Sequence, residues 1–263
     1  MYNFNDLKKG TTDDYSLPSE AMKFEGVYLE DELDGYKTLS VSGRELLAYD
    51  VSSHPISGND GATFLGATLP VRTLGVKYQL EAESPEDMRD KYNLMNQILS
   101  AKQAVISFND EPNYEFIGTL GSSSAIPEGR LNVVGSFDIL CVDPYKYKLA
   151  EEHTGTGSIT IQQPMAEPVV VDEIIIRPPA ITDVFEITNE TSGLTLRIIN
   201  ASENTNNIYI YPKTQKIIRT NVERPELLDW ISDFENFTVN NGDTIKITPT
   251  TTSFTIKLRE RLR

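Results

Sequence analysis

Residues able to do chemistry are few in this sequence. His54 and His153 are the only imidazoles, and Cys141 is the only thiol. Nucleophilic catalysis needs a base within hydrogen-bond reach of a Ser or Cys, itself oriented by a third group. His54 stands beside Pro55 in a glycine-containing stretch, and His153 stands among Glu and Thr. Neither ends an apolar strand pattern that would hold a base rigidly, so both read as surface histidines. Cys141 shares a strand face with Phe137 and Ile139 and reads as a buried thiol. Alone, it excludes a disulfide within the chain. Acid pairs occur at Asp13-Asp14 and Glu151-Glu152. A glycosidase dyad needs a fixed carboxylate separation, which a terminus and a polar segment do not offer. Asp31-Glu32-Leu33-Asp34-Gly35 lacks the ligand spacing of a calcium loop. The sequence contains no P-loop, dinucleotide fingerprint, zinc spacing or HExxH pair. No catalytic residue, metal ligand or cofactor site is therefore assigned, and the chain reads as a non-enzyme.

Aromatic rings give a second kind of chemistry, because an exposed ring can stack a sugar. Trp230 is the sole tryptophan, and Tyr209 and Tyr211 alternate on one candidate strand. These three are the weak glycan candidates. Against that role, Leu227, Trp230 and Ile231 have a spacing that predicts Trp230 as a core plug. Tyr209 and Tyr211 share a face that suits a core or an interface.

The charge balance bears on partners. The chain carries 24 Lys+Arg against 39 Asp+Glu, net −15. Residues 1–147 hold 12 basic and 23 acidic groups, so the excess is concentrated there. High-affinity binding to a phosphate backbone needs a basic footprint, and this chain has none. An acidic wall repels DNA and suits a conduit that does not grip it; solubility alone is the plainer meaning. The first ten residues lack the apolar run of a secretion signal. No stretch approaches the length of apolar residues that spans a membrane. Three Asn-x-Ser/Thr sequons, at Asn189, Asn200 and Asn236, read as chance matches in a half rich in Asn and Thr.

The elements that must carry these residues are mostly strands. Leu74, Val76, Tyr78 and Leu80 alternate with Gly75, Lys77 and Gln79, and Tyr114, Phe116, Gly118 and Leu120 share a face. Leu131, Val133, Gly135, Phe137, Ile139 and Cys141 continue the period. Shorter candidates lie at 22–28, 36–41 and 104–108. One helix is expected over about 85–100. Ser84 would cap it, Pro85 suits its first turn, and Glu86 and Asp87 complement its dipole. Met88, Tyr92, Met95 and Leu99 form its stripe. Residues 49–70, with Gly58, Asn59, Asp60, Gly61 and Gly66, read as a flexible excursion that serves as an arm reaching a neighbour. Its candidate contact residues are His54, Pro55, Ile56, Phe64 and Leu65. Asp143-Pro144-Tyr145 ends the first domain, since Pro lacks the N–H a ladder needs. The reading is therefore a domain over 1–147, a polar linker at 148–157 and a second domain over 158–263. The second domain shows six to eight short strands with regular turn signals, as an antiparallel sandwich does. A short helical turn is expected over 225–231.

The ordered set of motifs resembles the distal tail proteins of siphophages infecting Gram-positive bacteria. It comprises Phe24-Glu25-Gly26-Val27; Ser42-Gly43-Arg44-Glu45-Leu46-Leu47; the run from Phe137 to Tyr147 through Asp143-Pro144-Tyr145; and Phe237 to Ile245 followed by Phe254-Thr255-Ile256-Lys257. Asp243-Thr244 departs from the Asn and small spacer expected at that turn. The resemblance implies a mainly β chain: a β-sandwich-like ring domain with one helix, then a galectin-like sandwich akin to carbohydrate-binding modules. It implies a structural virion protein at the distal end of the tail, in a homohexameric ring through which DNA passes without specific binding. Implied partners are the tail tube protein, tail-associated or tape-measure proteins, and receptor-binding or baseplate proteins. The alternative reading is a carbohydrate-binding module or adhesin engaging host cell-wall glycans.

Overall fold

The computed structural model describes residues 17–58, 60–125 and 129–263. The Asp13-Asp14 pair and Asn59 lie outside them. The chain is mainly β and divides into two compact units, one ending at Lys146 and joined by the last residue, Arg263, the other Tyr147–Leu262.

The first unit contains β1 (Met22–Phe24), β2 (Val27–Tyr28), a single-turn α1 (Leu29–Glu32), β3 (Tyr36–Ser42), β4 (Asp50–Pro55), β5 (Ala62–Thr68), β6 (Arg72–Glu81), α2 (Pro85–Ile98), β7 (Ala104–Phe108), β8 (Glu111–Ser123) and β9 (Asn132–Cys141). Seven strands of one antiparallel sheet follow in the order β2-β1-β7-β8-β9-β6-β3. Its centre is the ten-residue pairing of β6 with β9, from Arg72 opposite Cys141 to Glu81 opposite Asn132. Leu74, Val76, Tyr78 and Leu80 face inward with Val133, Phe137, Ile139 and Cys141, as a period of two requires. Gly135 sits opposite Tyr78. A Cβ there would meet the Tyr78 hydroxyl at 2.6 Å, so the missing side chain lets the ring lie across the strand. Tyr78 stacks on Tyr36 at 5.5 Å and packs against Phe137 at 5.7 Å between ring centres.

Helix α2 forms where its cap and stripe predict. The Ser84 side chain accepts from the Asp87 N–H, and the Asp87 carboxylate accepts from the Glu83 N–H at 2.9 Å. Those two contacts occupy backbone donors that the helix itself leaves free. Met88, Met95 and Leu99 are buried in the same core as the sheet residues.

The second unit begins in β10 (Lys146–Lys148), which straddles the division, and continues with β11 (Glu151–Thr156), β12 (Ser158–Thr160), β13 (Val169–Val170), β14 (Glu173–Arg177), β15 (Phe185–Asn189), β16 (Thr195–Ile198), β17 (Ile208–Tyr211), β18 (Lys216–Arg219), β19 (Val222–Glu223), β20 (Thr238–Val239), β21 (Thr244–Thr248) and β22 (Ser253–Leu258). A six-stranded sheet runs β11-β22-β14-β17-β18-β19, and a four-stranded sheet runs β12-β21-β15-β16. Ile174, Ile176, Ile208, Ile210, Phe254 and Ile256 of the first meet Phe185, Ile187, Leu196, Ile198, Ile245 and Ile247 of the second in one core. This is a β-sandwich. The expected helical turn is the 3-10 turn Pro225–Leu227.

The linker expectation at 148–157 is corrected. Residues Glu151 to Thr156 form β11 and pair with β22 along six positions, from Glu151 opposite Leu258 to Thr156 opposite Ser253. β11 is an edge strand whose side chains are mostly exposed, so it carries no apolar alternation and its composition imitates a linker.

The Asn189 side chain is fully buried at the end of β15. Its Nδ2 donates to the Thr238 carbonyl at 3.1 Å and to the Asp243 carboxylate at 2.8 Å. The same Asp243 oxygen accepts from the Asn240 N–H at 2.9 Å. The departure from the resembled turn thus has a role: Asp243 closes the Asn240-Asn241-Gly242 loop and fixes Asn189.

Candidate assembly surface

Within the excursion read over 49–70, Asp50–Pro55 and Ala62–Thr68 form a hairpin. β4 pairs with β5 from Asp50 opposite Thr68 to Pro55 opposite Ala62. The register shifts between Ser52, opposite Gly66, and Ser53, opposite Phe64, which leaves Leu65 as the bulged residue. The bulge interrupts the period of two, and both faces are open to solvent, so the sequence shows no inner and outer side. The cluster around Gly58, Asp60 and Gly61 is the turn. Phe64 and Leu65 are 66 % and 63 % exposed, and Val51, Ile56 and Tyr49 are also exposed. His54 and Pro55 lie on β4 with open side chains. An isolated two-stranded ribbon is marginal in water, and this one carries a run of exposed apolar groups.

The root of the hairpin is fixed by groups the sequence reading passed over. Arg72 opens β6 and is 1 % exposed. Its Nε donates to the Pro144 carbonyl at 2.8 Å, and its Nη1 to the Gly43 carbonyl at 2.7 Å and the Glu45 carbonyl at 3.4 Å. Its guanidinium also lies 5.6 Å from the Phe116 ring centre. Burial pulls its pKa below the usual arginine value. One side chain therefore ties two sequence motifs, Ser42–Leu47 and Asp143-Pro144-Tyr145, into one knot. Gly43 adopts φ +88°, and a Cβ there would sit 2.0 Å from the Thr73 carbonyl oxygen. Next to it, Arg44 makes a two-pronged bridge to Asp110 at 2.6 and 2.9 Å and stacks over Phe108 at 4.6 Å. The Asp143 carboxylate accepts from the Tyr145 N–H at 3.2 Å, which shapes the turn after β9. A lone arginine between strands has no periodic signature, so only its carbonyl partners reveal it.

The residues weighed for catalysis do not converge. His54 is exposed on the hairpin. His153 on β11 has its Nε2 3.2 Å from the Gln163 Oε1. Cys141 is fully buried, and burial pushes its thiol up to about 11, which keeps it from acting as a thiolate. Glu152 is bridged to Lys257 at 3.0 Å. Among the described residues no three His, Cys, Asp or Glu side chains are placed to hold a metal ion. Among them, too, no helix is long and apolar enough to cross a membrane.

The aromatic candidates are separated. Trp230 is 92 % exposed, which corrects the expectation of a core plug. The segment around it is not a helix but runs along β16: Leu228 bridges Ile198, and the Asp229 and Asp233 N–H groups donate to the Arg197 and Thr195 carbonyls. Leu227 alone of the three plugs the core. Tyr209 and Tyr211 lie on β17 of the other sheet, half-buried on its outer face. The Tyr211 hydroxyl donates to Glu173 at 2.7 Å, and burial together with that carboxylate pushes its pKa up to about 12.

No family model matches the sequence. The chain is similar to the distal tail protein of Bacillus phage SPP1, 28 % identical over 121 residues, which are 45 % of this chain and 47 % of that protein. The match thus spans about half the length of that relative. The fold matches the crystal structure of SPP1 Dit, described as a paradigm of the hub adsorption apparatus in Gram-positive infecting phages. There the TM-score is 0.72 at 18 % identity, with 92 % of this chain and 99 % of that one covered. It also matches a chain of the phage p2 baseplate in its activated conformation, with a TM-score of 0.54 at 11 % identity, covering 85 % of this chain and 90 % of that one.

Proposed function

We propose that this chain, which has the fold of the siphophage distal tail proteins through both of its units, is a structural hub of a phage tail tip. The observation that carries the reading is the fold match over nearly the whole of both chains. A second copy of this chain covers the exposed β4–β5 hairpin, and the first unit closes into a ring, six copies by the resemblance. The arm contacts come from His54, Pro55, Ile56, Phe64 and Leu65. A protrusion that fits a different surface on the next copy makes a head-to-tail contact, and such contacts close into rings when the rotation allows. DNA passes through the ring without being gripped. The second unit faces tail and baseplate proteins.

Light scattering and negative-stain imaging of the purified chain, alone and mixed with tail proteins, test this. Rings or closed oligomers are expected. A chain that stays monomeric under both conditions overturns the reading.

A further inference from the structure

We propose that three carboxylates, those of Glu20, Glu30 and Glu45, seal the outer edge of β3 against strand addition by a second copy of this chain. β3 ends the strand order of the first unit's sheet and, among the described residues, pairs only with β6. An edge strand shows a row of backbone N–H and C=O groups to any strand that comes alongside. In an antiparallel pair, alternate residues turn these groups away from the partner. On β3 those residues are Tyr36 and Thr38 and, past the bulge between Thr38 and Ser40, Val41.

All three outward donors are taken. The Tyr36 N–H donates to the Leu33 carbonyl at 3.0 Å. The Thr38 N–H donates to Glu30 Oε1 at 2.9 Å, and the Val41 N–H to Glu20 Oε2 at 2.5 Å. One residue past the strand, the Gly43 N–H donates to Glu45 Oε2 at 3.0 Å. The acceptors come from separate stretches of chain: Glu20 precedes β1, Glu30 lies on α1, Leu33 follows α1, and Glu45 follows β3. Glu30 is only 7 % exposed, and a carboxyl at that depth is costly without a partner. The β3 edge supplies one. Arg44, itself bridged to Asp110, lies 3.8 Å from the Glu20 carboxylate. The residue type matters here. An ionised carboxylate accepts and never donates, whereas a hydroxyl or amide cap brings a donor of its own. An incoming strand therefore meets occupied N–H groups, and its carbonyl oxygens face negative charge. β3 needs such a seal, because Tyr36, Thr38 and Val41 are residues that pair readily as strands. Leu39, at the bulge, is 40 % exposed. Unsealed, the β3 edges of two copies would pair with each other and compete with the hairpin contact proposed above. The seal is a property of one chain and does not rest on that contact.

Hydrogen exchange of the full chain, resolved to single amides by mass spectrometry, tests the caps. Thr38, Val41 and Gly43 are expected to exchange slowly although they lie at an edge. Glu20→Ala with Glu45→Ala is expected to speed exchange at Val41 and Gly43 by about tenfold or more. In light scattering the same variant is expected to form species larger than the native assembly, growing with concentration, while its thermal unfolding transition is retained. Glu20→Gln with Glu45→Gln keeps an acceptor at each site and is expected to keep native exchange and native size. Fast exchange at Thr38 and Val41 in the native chain overturns the proposal. So does an alanine variant of unchanged size at every concentration, or one that grows only where its unfolding transition is lost. Glutamine variants that assemble as the alanine ones do also overturn it. A chain with residues 52–66 replaced by a short turn is expected to keep the slow exchange, so failure of the hairpin contact and failure of the seal are told apart.

Discussion

Arg72 and Arg219 are each 1 % exposed, and both give their hydrogen bonds to backbone carbonyls. Arg219 donates to the Ala201 carbonyl at 2.8 Å and to that of Asn204. A buried cation is costly unless polar groups surround it. These two use the guanidinium fork to collect the carbonyls of turns that no strand partner could satisfy. Arg72→Met keeps the length of the side chain but strands the Gly43 and Pro144 carbonyls. Each buried unsatisfied group costs about 1–3 kcal/mol, so a loss of about 2–5 kcal/mol is expected in urea unfolding, with no rescue by lysine. Stability close to wild type would make the knot incidental. Cys141 is expected to stay silent to a thiol reagent at mildly alkaline pH in the folded chain and to react on unfolding. Fast labelling of the native chain would refute its burial. Tyr211 titrates near 12 in the fold against an ordinary value near 10. A raised acid contributes stability that is complete below the unfolded value and is lost as pH rises toward the folded one. Alkaline unfolding of Tyr211→Phe should therefore depend less on pH between those values than that of the native chain.

At the scale of elements, the hairpin is the proposed assembly contact and the helix is part of the first unit's core. Replacing residues 52–66 by a short turn should leave the first unit folded and abolish oligomers in light scattering. Persisting rings would move the contact elsewhere. Met95→Ala with Leu99→Ala should cost about 2–5 kcal/mol per site, read as loss of soluble protein or of melting temperature, because both are buried against the sheet. Ser84→Ala should cost about 1 kcal/mol through the lost cap. The helix was legible in sequence because cap, proline and stripe agree over one continuous stretch. So was the β6–β9 pair, whose inner residues alternate without interruption. The hairpin was legible as an exposed excursion but not as strands, since a bulge and two wet faces erase the pattern. β11 was missed for a similar reason, as an edge strand made of Glu, His, Thr and Gly. Trp230 was misplaced because a helical spacing was read into a segment whose backbone follows β16. Of the site candidates drawn from residue type alone, those at 54–56 and 64–65 fall on or beside one hairpin, while Trp230 lies in the segment along β16 and the two tyrosines lie on β17.

For the whole molecule, the net charge of −15 forecasts that the purified assembly does not retain duplex DNA at about 0.15 M salt, where exposed charges are screened beyond roughly 8 Å. Tight, salt-sensitive retention in a gel shift would reveal a basic lining. Several acids of the first unit are already engaged: Asp87 with Lys91 at 3.1 Å, Glu81 with Asn132 at 2.6 Å, and Glu111 with Lys146. Limited proteolysis should spare Glu151 to Thr156, since that stretch is laddered to β22. Cleavage there would show the pairing to be absent. The buried amide of Asn189 bears on manufacture. Its nitrogen is the atom to which a glycosylating secretory pathway attaches sugar, and its residue heads an Asn-Glu-Thr acceptor. Attachment would replace one of the two N–H donors of that nitrogen and force a bulky group into the sandwich core. Such a host would therefore sort the chains by speed: those that fold before modification emerge native, and those tagged first cannot close.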